Sequence, residues 1–181
     1  DTGNTGPTGP QGPTGLGGAL GSFGSFYDTT IQTTTVGTAT PMELNTLDNA
    51  SGVSIVNDGL GNPTEITFDN GGIYDLQFSA QLHNNGGGGP GETINIWLSK
   101  NGTTVPDTNT KVSVQTNNPY VVAAWDFMLT VTAGDYYQLF WTTDNANIYI
   151  ESSAAVSPAP AVPSLIVTVM QVMYTQVGPT G

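Results

Sequence analysis

The sequence predicts an all-β fold, a ten-stranded sandwich or jelly roll built as a homotrimer. Three observations carry this. No window sustains a 3.6-residue apolar period, while period-two alternation and β-branched or aromatic runs recur along the chain. Turn signals return about every 8–15 residues, the rhythm of short antiparallel strands. Glycine stands at every third position from Gly3 to Gly24.

The glycine period comes first in the chain. Gly3, Gly6, Gly9, Gly12 and Gly15 are spaced by Pro7, Pro10 and Pro13 at the first position after glycine, with Thr5, Thr8, Gln11 and Thr14 at the second. Only glycine fits at the axis of three polyproline-II chains, so strict Gly-X-Y with proline is the pattern of a collagen triple helix. A Gly/Pro-rich linker needs no such period. A triple helix has no fold as one chain, which is why a trimer is expected. Beyond Gly15 proline disappears and Leu16, Leu20 and Phe23 enter. Residues 16–24 read as a neck where three chains splay into a folded domain. At about 3.1 Å per residue the whole stretch spans at most about 70 Å. That is short for an independent triple helix, so its register has to come from the folded part. After Tyr174 the pattern restarts as Gly178-Pro179-Thr180-Gly181, and Asp1-Thr2-Gly3 reads as a cut triplet. The expectation is a piece of a longer chain with collagen-like segments on both sides. Its divisions are a stalk and neck at 1–24, one globular domain at 25–175, and the start of a second collagen-like segment at 176–181.

Composition narrows the function. Charged residues make up 9% of the chain, against about a quarter in ordinary domains. Solvent faces therefore fall to Thr, Ser, Asn and Gln. Lys100 and Lys111 are the two cations, and the net charge is −12, so a trimer would carry 3 × −12 = −36. Nucleic acid and anionic membranes both need Lys or Arg, so neither is an expected partner. The chain has no cysteine; stability must come from packing and association. No run of 18 apolar residues is long enough for a membrane-spanning helix. No signal peptide is visible.

The strands follow in order. Residues 25–35 read as the first and 41–44 as a short second. Residues 53–56 and 65–68 alternate around the Asn57-Asp58-Gly59 turn. Residues 73–82 form a long strand whose buried face must be Tyr74, Leu76, Phe78, Ala80 and Leu82. Residues 84–91 consist of glycine, proline and asparagine alone and read as a mobile loop. Residues 93–100 return to the Asn101-Gly102 hairpin signal. Strands at 111–115, 121–132, 136–142 and 147–152 follow, then a Pro/Ala-rich loop at 154–163, expected to be mobile and dispensable. The last strand, 164–174, has apolar residues on both faces. It is either buried on both sides or turned toward a subunit interface.

Four motifs resemble a family. Glu65-Ile66-Thr67-Phe68 followed by Gly72-Ile73-Tyr74 is one, and Ile96-Trp97-Leu98-Ser99-Lys100-Asn101-Gly102 another. Thr132-Ala133-Gly134-Asp135-Tyr136-Tyr137-Gln138-Leu139 and the closing Leu165-Ile166-Val167 complete the set. Together they are similar to the trimeric jelly roll shared by tumour necrosis factor and the globular head of the first complement component. The resemblance covers roughly residues 25–174. A collagen-like stalk with such a head resembles spore-surface glycoproteins of the BclA type and collagen-like phage and giant-virus fibres. It implies a structural fibre or surface-filament unit, extracellular, on a virion, spore or cell surface, with itself as partner. The alternative it implies is an adhesin knob gripping a glycan or protein receptor. Both termini of that jelly roll lie at the stalk end, so a second collagen-like segment would crowd the first.

No catalytic set emerges, and no enzyme activity, cofactor or metal is assigned. His83 beside the glycine loop could serve as a ligand or base; without cysteine or a second histidine it reads as a surface histidine. Asp69, Asp75, Asp107, Asp126, Asp135 and Asp144 are oxygen ligands available to Ca²⁺ without a calcium-loop spacing. Asn49-Ala50-Ser51 and Asn101-Gly102-Thr103 match the N-glycosylation pattern, which arises by chance. Thr5, Thr8 and Thr14 are, by resemblance, O-glycan acceptors. Trp97, Trp125 and Trp141 read as core or trimer interface before sugar platform. The strand 136–141 has Tyr136, Gln138 and Phe140 on one side and Tyr137, Leu139 and Trp141 on the other, both largely apolar. Tyr136, Phe140, Trp141 and Tyr74 are therefore the expected trimer-interface residues, with strand 73–82 alongside.

Overall fold

Alternation decides the longest strand first. In β6 (Gly72–Asn84) the side chains of Tyr74, Leu76, Phe78, Ala80 and Leu82 all point into the core and are at most 4% exposed. The intervening Ile73, Asp75, Gln77, Ser79, Gln81 and His83 lie on the outer side. This is the predicted division of the faces. The computed structural model describes residues 21–86 and 92–173.

β6 is the spine of the first sheet. Along one side it pairs with β10 (Tyr120–Val131), and along the other with β13 (Leu165–Gln171) and then β12 (Ile148–Ile150). Next to β13 lies β1 (Phe23–Asp28), and β3 (Thr46–Ser51) closes that edge. The second sheet runs β4 (Val53–Asn57), β5 (Pro63–Phe68), β11 (Tyr136–Thr143), β7 (Thr93–Lys100) and β8 (Thr103–Thr104). Two short strands join it: β2 (Thr40–Pro41) beside β11 and β9 (Thr110–Ser113) beside β7. The pairings between these strands are antiparallel. No helix occurs among the described residues. Two antiparallel sheets face to face bury one side each, which is the predicted sandwich.

The second sheet contributes Ile66, Phe68, Ile94, Ile96, Leu98, Tyr137, Leu139 and Trp141 to the shared core. Phe68 sits at its aromatic centre, edge-on to Tyr74 at 4.7 Å and to Tyr137 at 6.0 Å. Edge-to-face contact sets the positive rim of one ring against the negative face of another. Both tyrosines need an acceptor once buried. The Tyr74 hydroxyl donates to Asn70 O at 2.8 Å and the Tyr137 hydroxyl to Thr130 O at 3.0 Å. The predicted hairpin between β7 and β8 is present: Asn101 and Gly102 take φ of 50° and 76°, the left-handed pair a two-residue turn requires.

Several expectations change. Thirteen strands form among the described residues rather than ten; the strands expected at 41–44 and 147–152 shorten to β2 and β12, and the two-residue β8 and the edge strand β3 have no counterpart in the sequence pattern. β3 (Thr-Leu-Asp-Asn-Ala-Ser) is a mostly exposed edge strand without an apolar face, so nothing in its sequence marks it. The first strand spans 23–28 instead of 25–35. It stops at Asp28, whose Oδ1 accepts from both the backbone N–H and the hydroxyl of Thr30 at 2.6 Å and turns the chain out of the ladder. Phe23 and Gly24, assigned to the neck, are already in β1. The segment 154–163 is a hairpin rather than a free loop. Ser153 and Val162 exchange backbone bonds of 2.9 and 3.0 Å, and Val156 and Ala159 exchange bonds of 2.8 and 3.1 Å, about a cis Ser157–Pro158 peptide. Most of the glycine-rich 84–91 stretch, residues 87–91, lies outside the described residues, as do residues 1–20 of the stalk and neck, residues 174–175 and the collagen-like segment expected at 176–181.

Gly24 continues the glycine period for a different reason. A Cβ there would come within 2.8 Å of Phe26 Cζ and 3.2 Å of Val53 Cβ. Phe26 is a core residue, 2% exposed. Gly24→Ala should therefore lower stability by about 1–3 kcal/mol through overpacking, read from the denaturant midpoint. An unchanged midpoint would show that the Phe26 ring moves aside freely. Tyr74→Phe removes only the hydrogen bond to Asn70 and should cost about 1 kcal/mol; Tyr74→Ala opens a cavity and should cost about 3–5 kcal/mol.

Candidate functional site

The four expected interface residues divide. Tyr74 and Trp141 are each 0% exposed inside a single chain. Neither can touch a partner, and both are corrected to core residues. Tyr136 and Phe140 lie half-buried on the outer side of the second sheet. Phe140 is already covered within its own chain, standing between Trp97 and Pro41, its cross-strand partners. Its ring stacks on Trp97 at 5.9 Å and 21°. β11 and β6 belong to different sheets, so they cannot line one face together. A strand apolar on both sides needs a second cover, and here the rings of adjacent strands supply it rather than a neighbouring subunit.

The uncovered apolar surface is on the other sheet. On the outer side of β6, Asp75 sits between Met128 and Met170, and Ser79 between Ala124 and Ile166. Gln81 faces Val122 and His83 faces Tyr120 across the same ladder. Met128 is 62% exposed and Met170 54%, with Ile73, Tyr120, Val122 and Ile166 also exposed. Asp75 accepts a 2.9 Å bond from Gln77 through Oδ2, while its Oδ1 is buried with no partner. Toward β1 this face opens into a cleft of about 780 Å³, walled by the 154–163 hairpin and lined by Tyr27, Asp48, Val162, Pro163 and Ile166. The signal was present in the sequence: β13 reads apolar on both faces, and β10 places methionine and valine at outward positions.

His83 is part of a ring cluster at the end of this face. Its Nδ1 lies 2.7 Å from the Tyr149 hydroxyl and 3.4 Å from Glu151 Oε1, and Tyr120 stacks on it at 4.3 Å. Burial, then the charge of Glu151, raises the Tyr149 pKa. These contacts make His83 a partnered side chain rather than an isolated base. The candidate calcium aspartates are dispersed. Asp144 receives the backbone N–H and hydroxyl of Thr93 at 2.8 and 2.9 Å. Asp135 receives Lys100 Nζ at 2.7 Å, Asn101 Nδ2 at 2.8 Å and Thr132 N at 2.7 Å. Among the described residues no three His, Asp or Glu side chains converge on a point that could hold a metal ion. Asn101 is committed at both ends of its amide, to Asp135 and to Tyr136 N.

On the opposite face, Trp97 borders a second cleft of about 430 Å³ with Asn95, Asp107, Asn109, Thr104 and Thr142. Of the three tryptophans it alone lies on an outer sheet face; Trp141 is core and Trp125 packs edge-on against Phe78 at 4.5 Å. The β8–β9 loop that walls this cleft carries nothing in its sequence to mark it beyond its polar composition.

The chain is similar in structure to murine APRIL. The crystal structure at pH 5.0 has 13% sequence identity and a TM-score of 0.50, covering 83% of this chain and 98% of that one. The globular domain of zebrafish complement 1qA protein has 11% identity and a TM-score of 0.49, covering 85% of this chain and 99% of that one. No family model and no curated protein sequence matches the chain. At 13% identity the likeness to APRIL is one of fold, and the fold is the predicted jelly roll.

Asp135 yields a pH test. The Lys100 hydrogen bond, then those from Asn101 and Thr132, lower its pKa from the ordinary 3.8 to about 2. A carboxylate with a lowered folded-state pKa stabilises the fold above its unfolded value and loses that contribution as pH falls through the folded one. The stability difference between the native chain and Asp135→Asn should be constant above about pH 4 and shrink between about pH 4 and 2. A difference that persists unchanged at pH 2 would show that ionisation of Asp135 is not what ties these turns together.

Proposed function

We propose that this domain is the trimerising knob of a structural surface fibre, a collagen-like stalk carrying a jelly-roll head. The observation that carries the reading is the exposed apolar outer face of the β10-β6-β13 sheet. A chain this poor in charge that leaves Met128, Met170, Ile73, Ile166, Val122 and Tyr120 together in solvent has a surface to cover. The occupant is a second copy. The unpartnered Oδ1 of Asp75 lies within this face and calls for a donor from outside the chain. The strand edge of β10 and the cleft beside β1 are different surfaces of one sheet, so a contact between them is head-to-tail, the kind that closes into a ring when its rotation is one third of a turn. Three is the number the Gly-X-Y period needs.

The ends of the domain fit a stalk. Just ahead of β1, Ser22 N donates to Gln171 Oε1 at 3.0 Å, and Gln171 N donates to Ser22 O at 2.8 Å. The first and last strands therefore begin and end side by side, and the preceding repeat leaves from one pole of the head. Three heads associated through one sheet would bring three such poles together and set the register that the short repeat lacks.

Met128→Glu and Met170→Glu should each leave the fold intact and dissociate the assembly, since every substitution places three carboxylates in one apolar interface. Sedimentation of the native chain should give a trimer, and deletion of residues 1–20 should leave it trimeric. A folded native monomer, or charged variants that still sediment as trimers, would overturn the assignment of this face.

A further inference from the structure

We propose that the cleft beside Trp97 binds a neutral saccharide. This does not rest on the assembly reading, because the cleft lies on the outer face of the other sheet. Trp97 is the aromatic ring in its lining, which Val105 and Pro106 share on the apolar side, and neighbouring rings hold the indole in place. Pro41, Phe140 and Trp97 are cross-strand neighbours on β2, β11 and β7, so their side chains stand on one side of the sheet. The Trp97–Phe140 stack holds the indole at 21° to its neighbour and fixes its orientation. Beside the indole, Asn95 and Thr142 form the next cross-strand pair.

The wall is the loop between β8 and β9, and it is pinned from below. Val105 N donates to Leu98 O at 2.9 Å. The Thr108 hydroxyl donates to Val105 O at 2.8 Å and accepts from Leu98 N at 3.1 Å. Asn109 Nδ2 donates to Asn95 Oδ1 at 3.2 Å, which ties wall to floor. Asp107 is held at φ 62°, a left-handed conformation that costs a non-glycine residue energy and that aspartate tolerates better than most. It lines the cleft and is exposed.

These parts match one ligand chemistry. A pyranose has an apolar C–H face that lies flat on an aromatic ring and a rim of hydroxyls that both donate and accept. Trp97 offers the ring. The carboxylate of Asp107, the amides of Asn95 and Asn109 and the hydroxyls of Thr104 and Thr142 offer acceptors and donors around it. The volume, about 430 Å³, lies within the range of about 300–1,000 Å³ usual for small-ligand sites. Charge selects among sugars. No cation lines the cleft; Lys111, the cross-strand partner of Asn95, is outside its lining. Asp107 and a net charge of −12 repel sialic or uronic acids. The occupant is therefore a neutral hexose or N-acetylhexosamine unit.

The test applies the full chain to an array of neutral and sialylated oligosaccharides, followed by titration of tryptophan fluorescence with chitotriose, mannotriose and lactose. The expected result is saturable binding of at least one neutral sugar and none of the sialylated set. Trp97→Ala should weaken that binding by about tenfold or more, which is about 1.4 kcal/mol, while Trp97→Tyr retains most of it. Asp107→Asn and Asn109→Ala, both at exposed positions, should each weaken it with the fold unchanged, and they decide the matter if Trp97→Ala does not fold. No saturable neutral ligand, preference for sialylated glycans, or binding that all of these variants leave unaltered would overturn the proposal. None of these outcomes bears on whether the chain is trimeric.

Discussion

The architecture depends on burying one face of β6. Its five inward side chains, Tyr74 through Leu82, are closed off by the second sheet, and its backbone is paired along both edges by β10, β13 and β12. A strand of 13 residues paired on both sides cannot slip by one position without turning all five of these groups into water. Phe68 and Tyr137 then take their places against Tyr74. With no disulfide and few charges, this interdigitation of two inner faces is the main source of stability.

The same register decides what lies outside. Because Tyr74, Leu76 and Phe78 point inward, Asp75 and Gln77 must point outward, and their neighbours on β10 and β13 come with them. That brings Met128 and Met170 to either side of Asp75. The outer side of the second sheet is different in kind. There the large rings of Trp97 and Phe140 stack on each other, and Val105, Pro106, the Asp107 carboxylate and a set of amides and hydroxyls stand around the indole. One layer thus presents an exposed apolar face. The other presents a cleft in which the Trp97 indole is rimmed by polar side chains. A trimer formed through the first layer leaves the second free, so a structural knob and a sugar-binding surface are compatible in one molecule.

Low charge shapes this surface throughout. The two lysines do little general work: Lys100 is spent on Asp135 and Thr130 O, and its pKa is raised by that pairing. The carboxylates have to be satisfied mostly by backbone N–H groups and neutral side chains. Asp28, Asp58 and Asp144 each accept from nearby backbone and hydroxyl donors. Where such donors are missing, burial and neighbouring carboxylates push Glu43 and Glu65 up.

By itself the sequence determined the strand content, the inward face of β6, the Asn101-Gly102 turn and the sandwich, because period-two alternation and turn chemistry are local. It also marked β13 as apolar on both sides. It did not determine where β1 ends, since Asp28 leaves the ladder through a bond to Thr30 that alternation does not encode. It could not reveal β3, which has no apolar face, or the pairing of the 154–163 hairpin. The interface residues were misplaced for a related reason. Tyr74 and Trp141 look alike in sequence to residues that meet a partner, and only the stacking of two sheets shows that both are sealed within one chain. Likewise Trp97 reads along the chain as core or interface, Asp107 as one of six scattered aspartates, and Asn109 carries no mark at all. They meet because β7 pairs with β9 and the intervening loop folds back over Leu98. Faces are written in the order of residues; which face another strand covers is decided only when the strands are assembled.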